Sequence, residues 1–164
     1  MLFGRRKEKA KKNTIAILAP LEGELIPMGQ VDDPTFSEEM LGRGFAIRPT
    51  GGRVLSPVAG VVTQVFETGH AVTLTSQDGV EILIHVGLDT IRLKGEHYRI
   101  HVQEGDPVSP GDLLIEFDPQ GIQAAGFDTV TPVVICNYDL FADFDITECK
   151  AVKEGEAIIF LTKK

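Results

Sequence analysis

Two histidines, His70 and His85, sit at the two ends of an alternating stretch. Imidazole is the side chain that near neutral pH can act as nucleophile, general base or metal ligand. Residues 66–91 read Phe-Glu-Thr-Gly-His-Ala-Val-Thr-Leu-Thr-Ser-Gln-Asp-Gly-Val-Glu-Ile-Leu-Ile-His-Val-Gly-Leu-Asp-Thr-Ile. Two apolar-alternating runs around Ser76-Gln77-Asp78-Gly79 predict a β-hairpin. A four-residue loop pairs Thr75 with Val80 and sets His70 opposite His85, with Cβ atoms about 4.5–5.5 Å apart. A two-residue Asp-Gly turn pairs Val72 with His85 instead. Both registers leave the two histidines on one face with Val72, Leu74, Glu81 and Leu83, while Ala71, Thr73, Val80, Ile82 and Ile84 turn to the core.

An imidazole becomes a nucleophile when one nitrogen is pinned as an N–H donor and the other keeps its lone pair. The loop Val86-Gly87-Leu88-Asp89-Thr90 after His85 can aim backbone groups and a carboxylate at that ring. A second imidazole, with the nearby Thr68 hydroxyl, supplies a donor for charge on a bound phosphoryl group, and phosphoryl transfer asks a protein mainly for positioning and electrostatic stabilisation. Spacing alone also fits a structural histidine pair, or a zinc-dependent hydrolase with His70, His85 and Asp89 as ligands. Catalytic zinc takes about three protein ligands plus water, and the H-x-H pair common in such hydrolases is absent. His97 and His101 would lie about 13 Å apart on an extended strand and read as surface residues. The chain has no G-x-x-x-x-G-K-[ST], no G-x-G-x-x-G after a strand, no G-x-S-x-G, no H-E-x-x-H and no C-x-x-C. No cofactor is expected.

The elements that must position these residues read as strands. The 164 residues, with 17 Gly and 9 Pro, are punctuated by turn residues every 8–12 positions. Candidate strands are 14–18, 24–27, 44–49, 53–55, 58–66, 71–75, 80–85, 101–102, 113–117, 130–136, 146–148 and 157–161. Only 36–41, 120–125 and 138–141 resemble helical turns. The expected class is all-β, an antiparallel sandwich or barrel with jelly-roll or Greek-key wrapping, which hides strand edges. Two self-similarities point to partial duplication: Ala19-Pro20-Leu21-Glu22-Gly23-Glu24-Leu25 with Ser56-Pro57-Val58-Ala59-Gly60-Val61-Val62, and Val102–Asp106 with Val152–Glu156.

Charge divides the chain. Of 16 basic and 24 acidic residues, six and one fall within the first twelve, so residues 13–164 carry ten against twenty-three. Such an acidic body argues against nucleic acid as a partner. Residues 1–13 read as a basic flexible tail, and residues 1–12 could make weak contact with an anionic membrane. No apolar run is long enough for a membrane span or signal peptide, which points to the cytoplasm. Cys136 and Cys149 read as free thiols.

Gly79-Val80-Glu81-Ile82-Leu83-Ile84-His85-Val86-Gly87-Leu88-Asp89-Thr90-Ile91 is similar to the active-site signature of the glucose-type enzyme IIA components of the bacterial phosphoenolpyruvate-dependent sugar phosphotransferase system. The resemblance extends over Ala19-Pro20 with Gly23, Gly44–Ile47, Pro49–Gly51, Ser56–Gly60, Glu67–Ala71, Leu93–Glu96, Gly105-Asp106, Gly111-Asp112, Ile115–Asp118 and Thr131–Val134. It implies a single enzyme IIA domain over 14–164. His85 would be the phosphoacceptor, through Nε2, with the histidine-containing phosphocarrier protein as donor and a cysteine of a sugar-specific IIB domain as recipient. His70 would support the transfer, Thr68 would hold the pair by hydrogen bonding, and Asp89 would lie beside the site. Phe36, Leu41, Phe66 and Leu83 would form the apolar patch that partners dock on, with core packing the alternative for Phe36 and Phe66. Regulatory protein targets are a further expectation. His97 stands where the family often has Gly. A segment over 102–112 resembles biotinyl- and lipoyl-type carriers, but neither Lys94 nor Lys150 lies in the motif those carriers modify. A binding module without phosphoryl chemistry is the remaining alternative.

Overall fold

The computed structural model describes residues 14–164, so the expected basic tail over 1–13 and its weak membrane contact lie outside the described residues. Backbone pairing builds strands β1 (Thr14–Leu18), β2 (Gly23–Pro27), β3 (Arg43–Pro49), β4 (Arg53–Leu55), β5 (Gly60–Val65), β6 (Ala71–Ser76), β7 (Glu81–His85), β8 (Tyr98–Ile100), β9 (Pro107–Val108), β10 (Leu113–Phe117), β11 (Thr131–Ile135), β12 (Phe141–Ile146), β13 (Ala151–Val152) and β14 (Ala157–Lys163). Among the described residues helix is limited to α1 (Pro34–Ser37), α2 (Pro119–Ala124) and 3₁₀ turns at Met28–Gln30, Thr90–Leu93 and Tyr138–Leu140.

All strand pairs are antiparallel. One sheet has the order β13-β2-β3-β11-β7-β6-β5-β9, and two smaller sheets run β1-β14-β12 and β4-β10-β8. Partners such as β2 and β13 are far apart in sequence, so the chain wraps rather than meanders. The class is the expected all-β sandwich.

The orders contain a duplication. Replacing β1, β2, β3, β11, β12, β13 and β14 by β4, β5, β6, β7, β8, β9 and β10 turns one small sheet into the other and one half of the large sheet into its second half. The repeated motifs link β1 to β2 and β4 to β5, and they clasp each other: Leu18 N–H donates to Pro57 O at 3.2 Å and Leu55 N–H to Pro20 O at 2.7 Å. Their glycines are fixed by close approach, since a Cβ at Gly23 would lie 2.0 Å from Arg48 O and one at Gly60 2.2 Å from Thr75 O. The second echo holds as a shared local turn, with Asp106 N–H on Gln103 O and Glu156 N–H on Lys153 O, but the two segments are not equivalent in the duplication. The counterpart of Val152–Glu156 is Val108–Asp112, because Gly155 N–H bonds Ala19 O and Gly111 N–H bonds the equivalent Ser56 O. Val102–Asp106 is a third copy of the same local turn.

Alternation along the central strands explains where the core sits. Phe45, Ile47, Val72, Leu74, Ile82, Ile84, Val133 and Ile135 fill the main core between the sheets. The residues between them, Ala46, Leu83 and Val134, face the other way and pack with Ile26, Met28, Val31, Phe36, Ala71, Leu88 and Val130. The segment carrying Met28 and Phe36 therefore covers the outer face of the large sheet. As a single turn, α1 has no stability of its own. Its start is set by Asp33, whose carboxylate accepts Thr35 N–H at 3.0 Å, and by Pro34 in the first turn. Burial of Phe36, worth about 1.5–3 kcal/mol, holds it down.

Several segments depart from the sequence expectation: the helical turn expected at 36–41 lies at Pro34–Ser37, and the strands Tyr98–Ile100 and Pro107–Val108 are not among those expected. Residues 101–102 lie past the end of β8, although His101 N–H still bonds Leu114 O. The strand expected at 146–148 instead runs Phe141–Ile146, and its alternation is broken where Asp143 takes a left-handed conformation (φ 51°) and a bulge shifts the β12–β14 register. The two-residue β13 is too short to show a period.

Candidate functional site

The β6–β7 hairpin closes with three loop residues, Gln77-Asp78-Gly79. Gly79 N–H donates to Ser76 O at 2.9 Å, and its φ of 86° turns the following chain so that Val80 O accepts from Ser76 N–H at 2.9 Å. This is the three-residue loop ending in a left-handed residue. The register is thus one step from both sequence expectations: Thr75 pairs with Glu81, Val72 with Ile84 and Ala71 with His85. Val72 and Leu74 do not share the His85 face; they lie in the main core, and Ala71 lines the opposite side with Leu83.

The histidines still meet, for a different reason. His70 precedes β6, and at the open end of the hairpin both chains leave the pleat at Gly69 (φ 73°) and Gly87 (φ 90°). Val86 N–H donates to His70 O at 2.7 Å, which holds the His70 backbone beside the residue after His85. The two ring centroids are 4.7 Å apart at 80°. Phe36 lies against His85 at 5.2 Å, and Phe66 meets the His70 ring edge-on at 5.4 Å.

Hydrogen bonds set the tautomers. The His85 Nδ1 is 2.8 Å from Gly87 O. A carbonyl can only accept, so Nδ1 carries the proton and Nε2 keeps its lone pair. Thr68 Oγ1 bonds the His70 Nδ1; with the hydroxyl donating, His70 Nε2–H becomes a donor. Burial pushes the His70 pKa down to about 4, and the neighbouring His85 adds to this. Burial also lowers His85, opposed by the Gly87 carbonyl and the charge of Asp33. Both rings are neutral at pH 7.

His70, His85 and Thr68 come together as expected. The Asp89 backbone lies in the loop after His85, in a left-handed conformation, but its carboxylate pairs with Arg92 Nη1 at 3.2 Å and faces solvent. Among the described residues no group of three or more His, Cys, Asp or Glu side chains is arranged to hold a metal. The expected patch is also split. Phe36 (4% exposed) and Leu83 (7%) fill the space between the sheet and its cover and form the floor under the histidines, Phe66 is half-buried, and Leu41 (43%) is open to solvent with its neighbour Met40 (69%). Sequence reasoning missed Asp33. Asp33-Pro34 marks a helix start, but no local pattern ties that carboxylate to a ring so distant in the chain.

A fully antiparallel sandwich ending in two neutral, crossed imidazoles defines an all-β phosphoryl carrier. Residues 15–141 match the family described as phosphoenolpyruvate-dependent sugar phosphotransferase system, EIIA 1, and the chain belongs to it. It is therefore a phosphocarrier component of that system, and the zinc-hydrolase alternative finds no support. The glucose-specific EIIA component of Halalkalibacterium halodurans is 44% identical over 166 residues, covering 99% of this chain and 96% of the relative. That of Staphylococcus aureus (strain COL) is 43% identical over 155 residues, covering 94% and 92%. The β-glucoside-specific EIIBCA component of Bacillus subtilis (strain 168) is 45% identical over 146 residues; the match takes in 89% of this chain but 24% of that longer protein. Among solved structures, glucose permease IIA from Mycoplasma capricolum superposes with a TM-score of 0.83 at 32% identity, covering 90% of this chain and 95% of that one.

Proposed function

We propose that His85 is the phosphoacceptor. Its Nε2 lone pair attacks the phosphorus of a phosphohistidine on the histidine-containing phosphocarrier protein; the donor N–P bond breaks and its electron pair returns to the donor imidazole. A cysteine thiolate of a sugar-specific IIB domain then takes the group from His85 in the same sense. The observation that carries this assignment is the Nδ1–H bond to Gly87 O, which leaves Nε2 as the basic nitrogen. His70, held by Thr68, stays unphosphorylated and offers a donor to the phosphoryl oxygens. Asp89 contributes by shaping the loop beside the phosphoryl group.

The names of the relatives support two finer readings. Glucose is the proposed sugar class, because the relatives matched nearly end to end are called glucose-specific. An EIIBCA chain that contains a matching segment supports a IIB domain as the recipient. Phe66, Leu41 and the floor formed by Phe36 and Leu83 are the proposed docking patch. Membership in the family supports a cytoplasmic setting for this exchange; no helix among the described residues is long and apolar enough to cross a membrane.

The test is incubation with phosphoenolpyruvate, enzyme I and the histidine phosphocarrier, followed by intact mass and phosphorus NMR. The expected product is one acid-labile Nε2 phosphohistidine, absent in His85→Ala and still formed, more slowly, in His70→Ala. Phosphate on His85→Ala would move the acceptor elsewhere.

A further inference from the structure

The Gly87 carbonyl that sets the His85 tautomer belongs to a short loop whose peptides are each tied down. Leu88 N–H donates to Asp128 O at 3.0 Å and Gly87 N–H to Val130 O at 3.1 Å. On the other side of the Val86–Gly87 peptide, the Val86 carbonyl oxygen takes two hydroxyl donors: Thr90 Oγ1 at 2.8 Å and Tyr98 Oη at 2.8 Å. Val86 and Thr90 are wholly buried, so neither bond can be replaced by bulk water. A carbonyl has two lone pairs, and here both are used.

Thr90 is local to the loop, but Tyr98 comes from elsewhere. It opens β8, in the small sheet β4-β10-β8, where it pairs with Phe117. Its backbone is set by a tight approach in which Lys94, Gly95 and His97 are all left-handed and Asp118 N–H bonds His97 O at 2.9 Å. The ring packs on the main core and lies 6.3 Å from the His70 ring. The phenol therefore reaches from the small sheet to the end of β7 in the large one. Burial keeps it protonated, with its pKa pushed up to about 12, so it remains a donor at neutral pH.

We propose that Tyr98 is a positioning residue for phosphoryl transfer: its hydroxyl, with that of Thr90, fixes the Val86–Gly87 peptide so that the Gly87 carbonyl stays on the Nδ1–H of His85. Loss of the phenol hydroxyl leaves Val86 O with one donor and frees the peptide to tilt. The Gly87 carbonyl then swings off the ring, and His85 populates the tautomer with the proton on Nε2, which has no lone pair to attack with. This rests on the assignment of His85 as acceptor for its effect on rate, but not for its effect on the ring.

Tyr98→Phe keeps the ring and its packing and removes only the donor. Nitrogen NMR of the His85 ring in the unphosphorylated protein reads the tautomer directly, and rapid-quench transfer from the phosphorylated histidine phosphocarrier reads kcat and KM separately. Wild type is expected to show one His85 tautomer, and Tyr98→Phe a mixture, with kcat for acceptance down about fivefold and KM for the donor protein unchanged. Thr90→Val, which removes the other hydroxyl, is expected to shift the ring in the same direction. A single Nδ1–H tautomer in Tyr98→Phe overturns the proposal whatever the rate. Failure of wild type to acquire phosphate would instead overturn the His85 assignment, while the ring spectra still decide whether Tyr98 holds the peptide.

Discussion

At the residue scale the site depends on keeping two imidazoles neutral, and that has a thermodynamic signature. The unfolded chain protonates His70 near 6.5, whereas the native ring resists until about 4. Between those values the unfolded state binds more protons, so stability falls as pH drops from about 6.5 to about 4 and levels off below. For a ring only 1% exposed the loss can reach about 3 kcal/mol. His70→Gln removes that titration. Urea unfolding at several pH values in this window should give a shallower slope for the variant than for wild type; equal slopes would show that the native His70 is not held neutral. The same neutrality serves the proposed chemistry, because a protonated His85 has no nucleophilic lone pair.

At the scale of elements, what positions the site is turn geometry, and two glycines separate its parts. Gly79 and Gly87 both need positive φ, but a Cβ at Gly79 meets nothing within 4 Å, whereas one at Gly87 would lie 2.5 Å from Thr90 Cγ2 and 2.9 Å from Asp128 O. Gly79→Ala should cost only the left-handed strain, about 1 kcal/mol, with phosphate acceptance kept. Gly87→Ala adds a clash with the groups that hold the His85 partner carbonyl, so it should lose acceptance at least tenfold even when folded at low temperature. Thermal melts and the phosphate assay on both variants check this; similar losses of acceptance in the two would remove the distinction. These turns also show what the sequence could reveal. The alternation in 71–75 and 81–85 and the loop signal made the hairpin legible, and with it the meeting of His70 and His85. Its register was not, because parity depends on whether Ser76 and Gln77 belong to the strand or to the loop, and that is decided by the turn that the left-handed Gly79 closes. The burial of Leu83 was hidden, and that of Phe36 stood only as the alternative, for a related reason: alternation shows that a strand has two faces, but not that the distant segment from Met28 to Ser37 covers the second.

At the scale of the whole molecule, the duplicated sandwich places His85 at the end of a strand flanked on both sides by β11 and β6, so the proposed acceptor is held by paired strands and partners would have to come to it. The described body is acidic while the cargo is itself an anion, and phosphorylation would add about −1.5 to −2 charges beside Asp33 if phosphohistidine behaves as other phosphoresidues do. A donor whose docking face supplies positive charge is therefore the expected partner. Such attraction acts over about 10 Å at 0.1 M salt and about 3 Å at 1 M. It accelerates encounter more than it deepens the bound state. Raising the salt from about 0.05 M to about 0.5 M should raise KM for the phosphorylated donor roughly tenfold and leave kcat within twofold, since the proposed acceptor ring rests on a buried apolar floor. Rapid-quench kinetics across that range test the division. A salt-independent KM would mean that the apolar patch of Leu41 and Phe66 governs docking by itself, and a falling kcat would mean that exposed charge enters the transfer step.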